Sequence, residues 1–259
     1  MRILLISSLL TLLVACTPQA NSTTVESDAA SAQLSVNSDG QATELSMDEA
    51  KAAFEKAFEG MTVESITEAP IDGFYQVSVR GEVVYFSKDG DHLVTGDVID
   101  VATRTSLTDE ARGVLQAKAV EGLDEATMLV YEPEGQRKGY ITVFTDTTCG
   151  YCRKLHAELP QLAEAGIAVR YLMYPRAGLA SDSFNTLQSI WCADDKHAAM
   201  DAAKKGEQVD TKQCENPIAS HVEIAHTMGL RGTPLIVTDK GRVISGYRPA
   251  NELIEILEM

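Results

Sequence analysis

The chain has 259 residues, 44% of them hydrophobic, enough for one large core or two modest ones. Twenty-two basic residues against 38 acidic ones leave a formal net charge of −16. So acidic a protein repels nucleic acid and anionic lipid surfaces, which also argues against a phosphate-binding role.

Met1-Arg2 followed by the apolar run Ile3 to Ala15 predicts a signal peptide, since the run is too short to span a bilayer. The chain is therefore expected to be exported. The run ends in Leu13-Val14-Ala15-Cys16, which is similar to a bacterial lipobox, so cleavage after residue 15 and lipidation of Cys16 are expected. Residues 16–44 are rich in Ser, Thr, Ala, Asn and Gln and nearly lack large apolar side chains, the composition of a flexible leader that cannot offset its ordering entropy. On a lipidated chain this leader is a tether, and the lipid is the only expected route to a membrane.

Ser46-Met47-Asp48-Glu49 fits a capping box, and Ala50, Ala53, Phe54, Ala57 and Phe58 then recur on one helical face until Gly60. From Val63 to Thr105 the period changes to two. Tyr75, Val77 and Val79 alternate with Phe74, Gln76, Ser78 and Arg80, with Glu82 to Phe86 and His92 to Val101 as two further strands and turns at Asp72-Gly73 and Asp89-Gly90. Residues 45–105 thus read as one helix on an antiparallel meander. A unit of that size is near the lower limit for a self-sufficient core, so a second copy of the chain is its expected partner.

Ser106 opens a second capped helix over residues 106–123, with Ala111, Val114, Leu115 and Ala119 as its apolar positions, expected to connect two domains. From residue 124 to 259 strands and helices alternate: strands 128–131, 140–145, 168–173, 235–238 and 242–245, helices 152–165, 217–228 and 250–258, and further helices between Ser181 and Lys205. This order predicts an α/β sheet covered by helices.

With Cys16 taken by the export signal, Cys149, Cys152, Cys192 and Cys214 remain, and an even number in an exported chain points to disulfides. Three connectivities are open. We favour adjacent pairing, in which Cys149-Gly150-Tyr151-Cys152 closes on itself as a redox couple and Cys192 with Cys214 closes a loop of about 23 residues, worth roughly 3 kcal/mol. The CxxC lies between a strand and a helix, so Cys149 falls at a helix N-terminus, where backbone N–H groups stabilise a thiolate. Cys152, one turn in, can attack any mixed disulfide that Cys149 forms. A zinc site is not expected: His221 and His226 lie 68 residues or more beyond Cys152 and about 140° apart on one helix. Haem attachment fails because Arg153 stands where a histidine is needed. His156 is expected on the helix surface and Trp191 in the core.

The stretch from Val143 through Thr145-Asp146-Thr147-Thr148 to the CxxC, with Lys154-Leu155-His156 after it, resembles the active-site segment of periplasmic disulfide isomerases of the DsbC type. Tyr174-Pro175-Arg176-Ala177-Gly178-Leu179, Ile190-Trp191-Cys192-Ala193 and Gly232-Thr233-Pro234 agree with it in order. The resemblance implies an α+β cystatin-like N-terminal dimerisation domain, a helical linker and an α/β thioredoxin-fold catalytic domain with a helical insertion, assembled as a homodimer in the periplasm. It implies that Cys149 is the nucleophile and Cys152 the resolving thiol, that Gly150, Tyr151, Thr233 and Pro234 meet substrate, with Thr233-Pro234 as a cis-proline loop, and that Cys192–Cys214 is a structural disulfide. The implied partners are misoxidised exported proteins and a membrane reductant of the DsbD type. No cofactor beyond the redox-active disulfide and no metal is expected. Two alternatives remain: a reductase of sulfenylated cysteines, as in DsbG-like members, and a homodimeric chaperone or binding module for unfolded proteins. One departure stands out. Thioredoxins carry a buried acid where this chain has Val143, so the proton acceptor of Cys152 is unassigned.

Overall fold

The computed structural model describes residues 44–258; the expected signal peptide, almost all of the leader, and the Cys16 lipidation site lie outside these residues. Helix α1 (Met47–Ala57) begins with the expected capping box, the Ser46 hydroxyl meeting the Glu49 backbone while the Glu49 carboxylate accepts from the Ser46 N–H. It covers a sheet ordered β1 (Ser65–Glu68), β2 (Phe74–Val79), β3 (Glu82–Ser87), β4 (Leu93–Val94), antiparallel throughout. The period-two reading places side chains correctly, since Tyr75, Val77 and Val79 are buried with Ala50, Phe54 and Phe86 in one core. The β2–β3 turn is Arg80-Gly81, both with positive φ.

Two expectations need correction in this half. His92 to Val101 is not one strand: β4 ends at Val94, Gly96 takes a φ of 131°, and β5 (Ile99–Asp100) turns away to pair with β6 (Thr105–Ser106). Helix α2 (Leu107–Val120) is capped by Ser106 as expected but buries a different face. Thr108, Arg112 and Gln116 are buried, whereas Val114 is 70% exposed. The reason is what α2 packs against. Thr108 Oγ1 meets the Tyr85 hydroxyl at 2.5 Å, Gln116 Nε2 donates to the Met228 carbonyl at 3.2 Å, and the Arg112 guanidinium pairs with Asp109, Glu82 and Asp97. The first turns of the helix are fastened by polar contacts to both halves of the chain, and its last turn packs Ala117, Ala119 and Val120 into an apolar core.

The second half is a five-stranded sheet ordered β11 (Val243–Ser245), β10 (Leu235–Thr238), β8 (Gly139–Thr145), β9 (Ile167–Met173), β7 (Leu129–Tyr131). Only β8–β9 is parallel, and β9 is buried along its whole length, including Arg170, whose guanidinium donates to the Thr142 hydroxyl and to Glu125. Ile141 and Val143 face one core with α4 (Leu159–Glu164), α5 (Asp182–Trp191), α6 (Lys196–Lys205) and α8 (Ala250–Glu258); Phe144 faces the other, with α2 and α7 (Ile218–Thr227). This is the thioredoxin fold that the resemblance implies, with α5 and α6 as the insertion. The expected helix 152–165 is two helices, α3 (Gly150–Ala157) and α4, because Pro160 cannot donate to His156 and its ring crowds that carbonyl.

The two halves meet through bare backbone. A Cβ on Gly81 would fall 2.4 Å from the Gly229 nitrogen and the Thr227 carbonyl oxygen, and Arg231 pairs with Glu82 beside them. Gly81→Ala should therefore cost clearly more than Gly73→Ala, which suffers the same positive φ but meets nothing within 4 Å. Urea unfolding is expected to give about 1 kcal/mol for Gly73→Ala and on the order of 2–3 kcal/mol for Gly81→Ala; equal losses would contradict the close approach.

Candidate active site

Strand β8 delivers the chain to the site, and Asp146, just past its end, anchors the loop that leads into the CxxC. This carboxylate is fully buried and accepts from the Thr148 N–H (2.8 Å), the Thr148 hydroxyl (2.9 Å), the Ser183 hydroxyl (2.6 Å), and the Arg176 N–H (3.0 Å) and Nε (3.3 Å). Burial pushes its pKa up, but these donors outweigh it and hold the carboxyl below its usual range. Asp146 thereby ties the strand end to α5 and to the loop after β9.

Cys149 is the N-cap of α3, and its Sγ accepts from the Cys152 N–H at 3.3 Å. Both cysteines are unpaired thiols, Cys149 3% and Cys152 1% exposed. Opposite them the Thr233-Pro234 bond is cis, and the Cys149 thiol donates to the Thr233 carbonyl at 3.3 Å. The Thr233 hydroxyl is buried and has no hydrogen-bond partner among the described residues.

The two sulfurs sit in opposing environments. Burial alone would push Cys149 up, but the Thr233 side chain and the Cys152 side chain and backbone, with the Arg176 charge nearby, leave its thiol below the ordinary value. Burial pushes the Cys152 thiol up, against the pull of the Lys204 ammonium and the Asp146 backbone. Such a pair provides one thiol ready to attack and one held back.

Of the residues singled out from sequence, Cys149, Gly150, Tyr151, Cys152, Thr233 and Pro234 converge here. Tyr151 is 65% exposed and stacks on Tyr247, with ring centroids 6.1 Å apart. Tyr247 in turn donates to Glu158, whose other oxygen accepts from the Ala250 N–H at 2.7 Å, so the start of α8 is fastened to the α3–α4 junction. Cys192 and Cys214 form a disulfide away from this cluster, tying the end of α5 to the loop before α7. Trp191 packs against the core under the Lys196 ammonium. His221 is buried, accepting from the Met173 N–H, while His226 is exposed.

His156 is not the surface residue expected. Its ring nitrogens meet the Tyr171 hydroxyl and Asp201, each at 3.1 Å, and burial lowers its pKa to about 4. Sequence reasoning also missed Ser183, Tyr247 and Lys204. Lys204 had a signal: one turn after Met200, it falls on the buried stripe of α6, where a cation is out of place.

Comparison with known proteins agrees with this geometry. The thioredoxin-like domain family matches residues 125–259, and the disulfide bond isomerase protein N-terminal domain family matches residues 27–109. The chain is 39% identical to the thiol:disulfide interchange protein DsbC of Dickeya dadantii, over 77% of this chain and 82% of that one. It is 37% identical to the protein of that name from Escherichia coli (80% and 87% covered) and 34% identical to that from Haemophilus influenzae (80% and 90%). The chain belongs to the DsbC family of thiol:disulfide interchange proteins.

Proposed function

We propose that the protein isomerises and reduces incorrect disulfides in exported proteins, with Cys149 as nucleophile and Cys152 as resolving thiol. The observation that carries this is the position of Cys149: a helix N-cap with a lowered thiol pKa, 3.3 Å from the carbonyl of a cis-proline loop. The Cys149 thiolate attacks one sulfur of a substrate disulfide, forming a mixed disulfide and releasing the other sulfur as thiolate. If a substrate thiolate then displaces Cys149, the disulfide has moved with no net redox change. If Cys152 displaces the substrate, the enzyme leaves with a Cys149–Cys152 disulfide and the substrate gains two electrons and, from solvent, two protons. Further turnover needs a dithiol donor, for which we infer a membrane reductant of the DsbD type.

Gly150, Tyr151, Thr233 and Pro234 form the docking surface in this reading. Pro234 is buried and has no N–H, which leaves the Thr233 backbone to pair with an extended substrate segment. The compartment is the periplasm, and a lipid on Cys16 would hold the protein at a membrane. Two copies join through the N-terminal domain. Supporting this are the modest core beneath α1 and the exposed Leu93, Val94, Ile99 and Val101 along β4, β5 and the turn after β5.

Iodoacetamide alkylation of the reduced protein is expected to track a thiolate titrating below the ordinary value of about 8.5, assigned to Cys149 by mass spectrometry; a first inflection at or above that value would remove the activated nucleophile. Cys152→Ala should accumulate mixed disulfides with exported proteins, separable on non-reducing gels, and lose net reductase activity while retaining part of its recovery of scrambled ribonuclease. Sedimentation should give a dimer at micromolar concentration, and Val94→Asp with Ile99→Asp should shift it toward monomer; a monomeric unsubstituted chain would refute the second-copy reading.

A further inference from the structure

The lowered position of Cys149 leaves Cys152 with the harder task, because it must become a thiolate beneath the surface before it can resolve a mixed disulfide. Neither position at the end of β8 offers it a free carboxylate. Val143 occupies the strand position where thioredoxins have an acid, and it is buried and aliphatic. Asp146 is committed on both oxygens to Thr148, Ser183 and Arg176.

What lies there instead is a cation. Lys204, in the last turn of α6, is only 4% exposed. Its Nζ donates to the Thr145 hydroxyl at 2.5 Å and to the Asp146 carbonyl at 3.1 Å, which places it under the end of β8, just before the loop that leads to Cys149. It lies 5.5 Å from the Tyr171 ring centre. Among the described residues no carboxylate comes within 4.0 Å of Nζ, so this buried ammonium is held by neutral oxygens alone. An unpaired buried charge is costly, and a nearby anion that appears during turnover relieves that cost.

We propose that Lys204 is the charge partner of the resolving thiol: its ammonium stabilises the Cys152 thiolate once the thiol has given its proton to solvent. This rests on the exchange reaction proposed above. Lys204 also lines a cavity of about 460 Å³ between α3 and α6, together with the titratable groups of Tyr131, Glu132, Glu134, His156 and Asp201. Burial brings Lys204 down to about 8, with the Cys152 charge pulling it back up, and the Lys204 charge in turn draws the Cys152 thiol down. The other groups facing the pair are Cys149 and Arg153 from α3, Asp146 after β8, Tyr171 from β9, and Asp201 and Lys205 from α6. His156, brought to about 4, is neutral at physiological pH and adds no charge. In the resolving step the Cys152 thiolate attacks Cys149 of the mixed disulfide, the Cys149–Cys152 bond forms, and the substrate sulfur leaves with the bonding pair and takes a proton from solvent.

The test monitors Cys152 alone, in the Cys149→Ala protein, by the ultraviolet absorbance of its thiolate against pH. Lys204→Met should raise the midpoint by about one unit or more, roughly a tenfold loss of thiolate at fixed pH, and Lys204→Arg should restore most of it; equal midpoints with Lys204 and with Met overturn the proposal. Should Lys204→Met not fold, the reciprocal measurement needs no change at Lys204. The Lys204 ammonium, observed by NMR in the reduced chain, should titrate higher than in Cys152→Ala, and identical curves overturn the pairing. Recovery of scrambled ribonuclease by the unsubstituted protein is scored separately, so failure of the exchange reaction is distinguishable from failure of the Lys204 pairing.

Discussion

Asp146 stands at the end of β8 with its side chain out of water, so its charge must be answered by protein donors. Thr148, Ser183 and Arg176 answer it, and they come from three different stretches of chain. The end of the strand, the start of α5 and the loop after β9 are thereby drawn to one point, three residues before Cys149. A carboxylate in this setting acts as a fastening. It cannot also serve as a base, because accepting a proton would cost it donors that hold the loops in place. The buried end of α6, with Lys204, lies against the same strand end.

The reactive pair also shows how one helix start creates asymmetry between two identical side chains. Cys149 caps the helix and collects donors; Cys152, one turn in, points into the packed interior and meets few. Both sulfurs are buried, and one helical turn separates the capping position from the next. The loop carrying Thr233 then closes the site from the opposite side.

Much of this is legible in the residues. The caps at Ser46 and Ser106 are local chemistry and emerge as read, as do the alternating burial of β2 and the apolar run of β8. The break between α3 and α4 also has a local signal in Pro160, which a reading of residues 152–165 as one helix overlooks. Other features have no local signal. The buried face of α2 is polar because its partners are Tyr85, earlier in the chain, and Met228, far later, and no period within the helix reports them. His156 reads as an exposed imidazole, and only the tertiary arrangement takes it out of water.

The contact of Gly81 with Gly229 involves no side chain on either partner. Its spacing therefore cannot be adjusted by the small changes of size that let packed cores drift over evolutionary time. Two residues after Gly229, the chain enters Arg231, Gly232 and then the cis-proline loop. The hairpin of the first domain is thus a fixed stop for the segment that presents Thr233, and a homologue that altered the angle between its two domains would have to rebuild this turn as a unit.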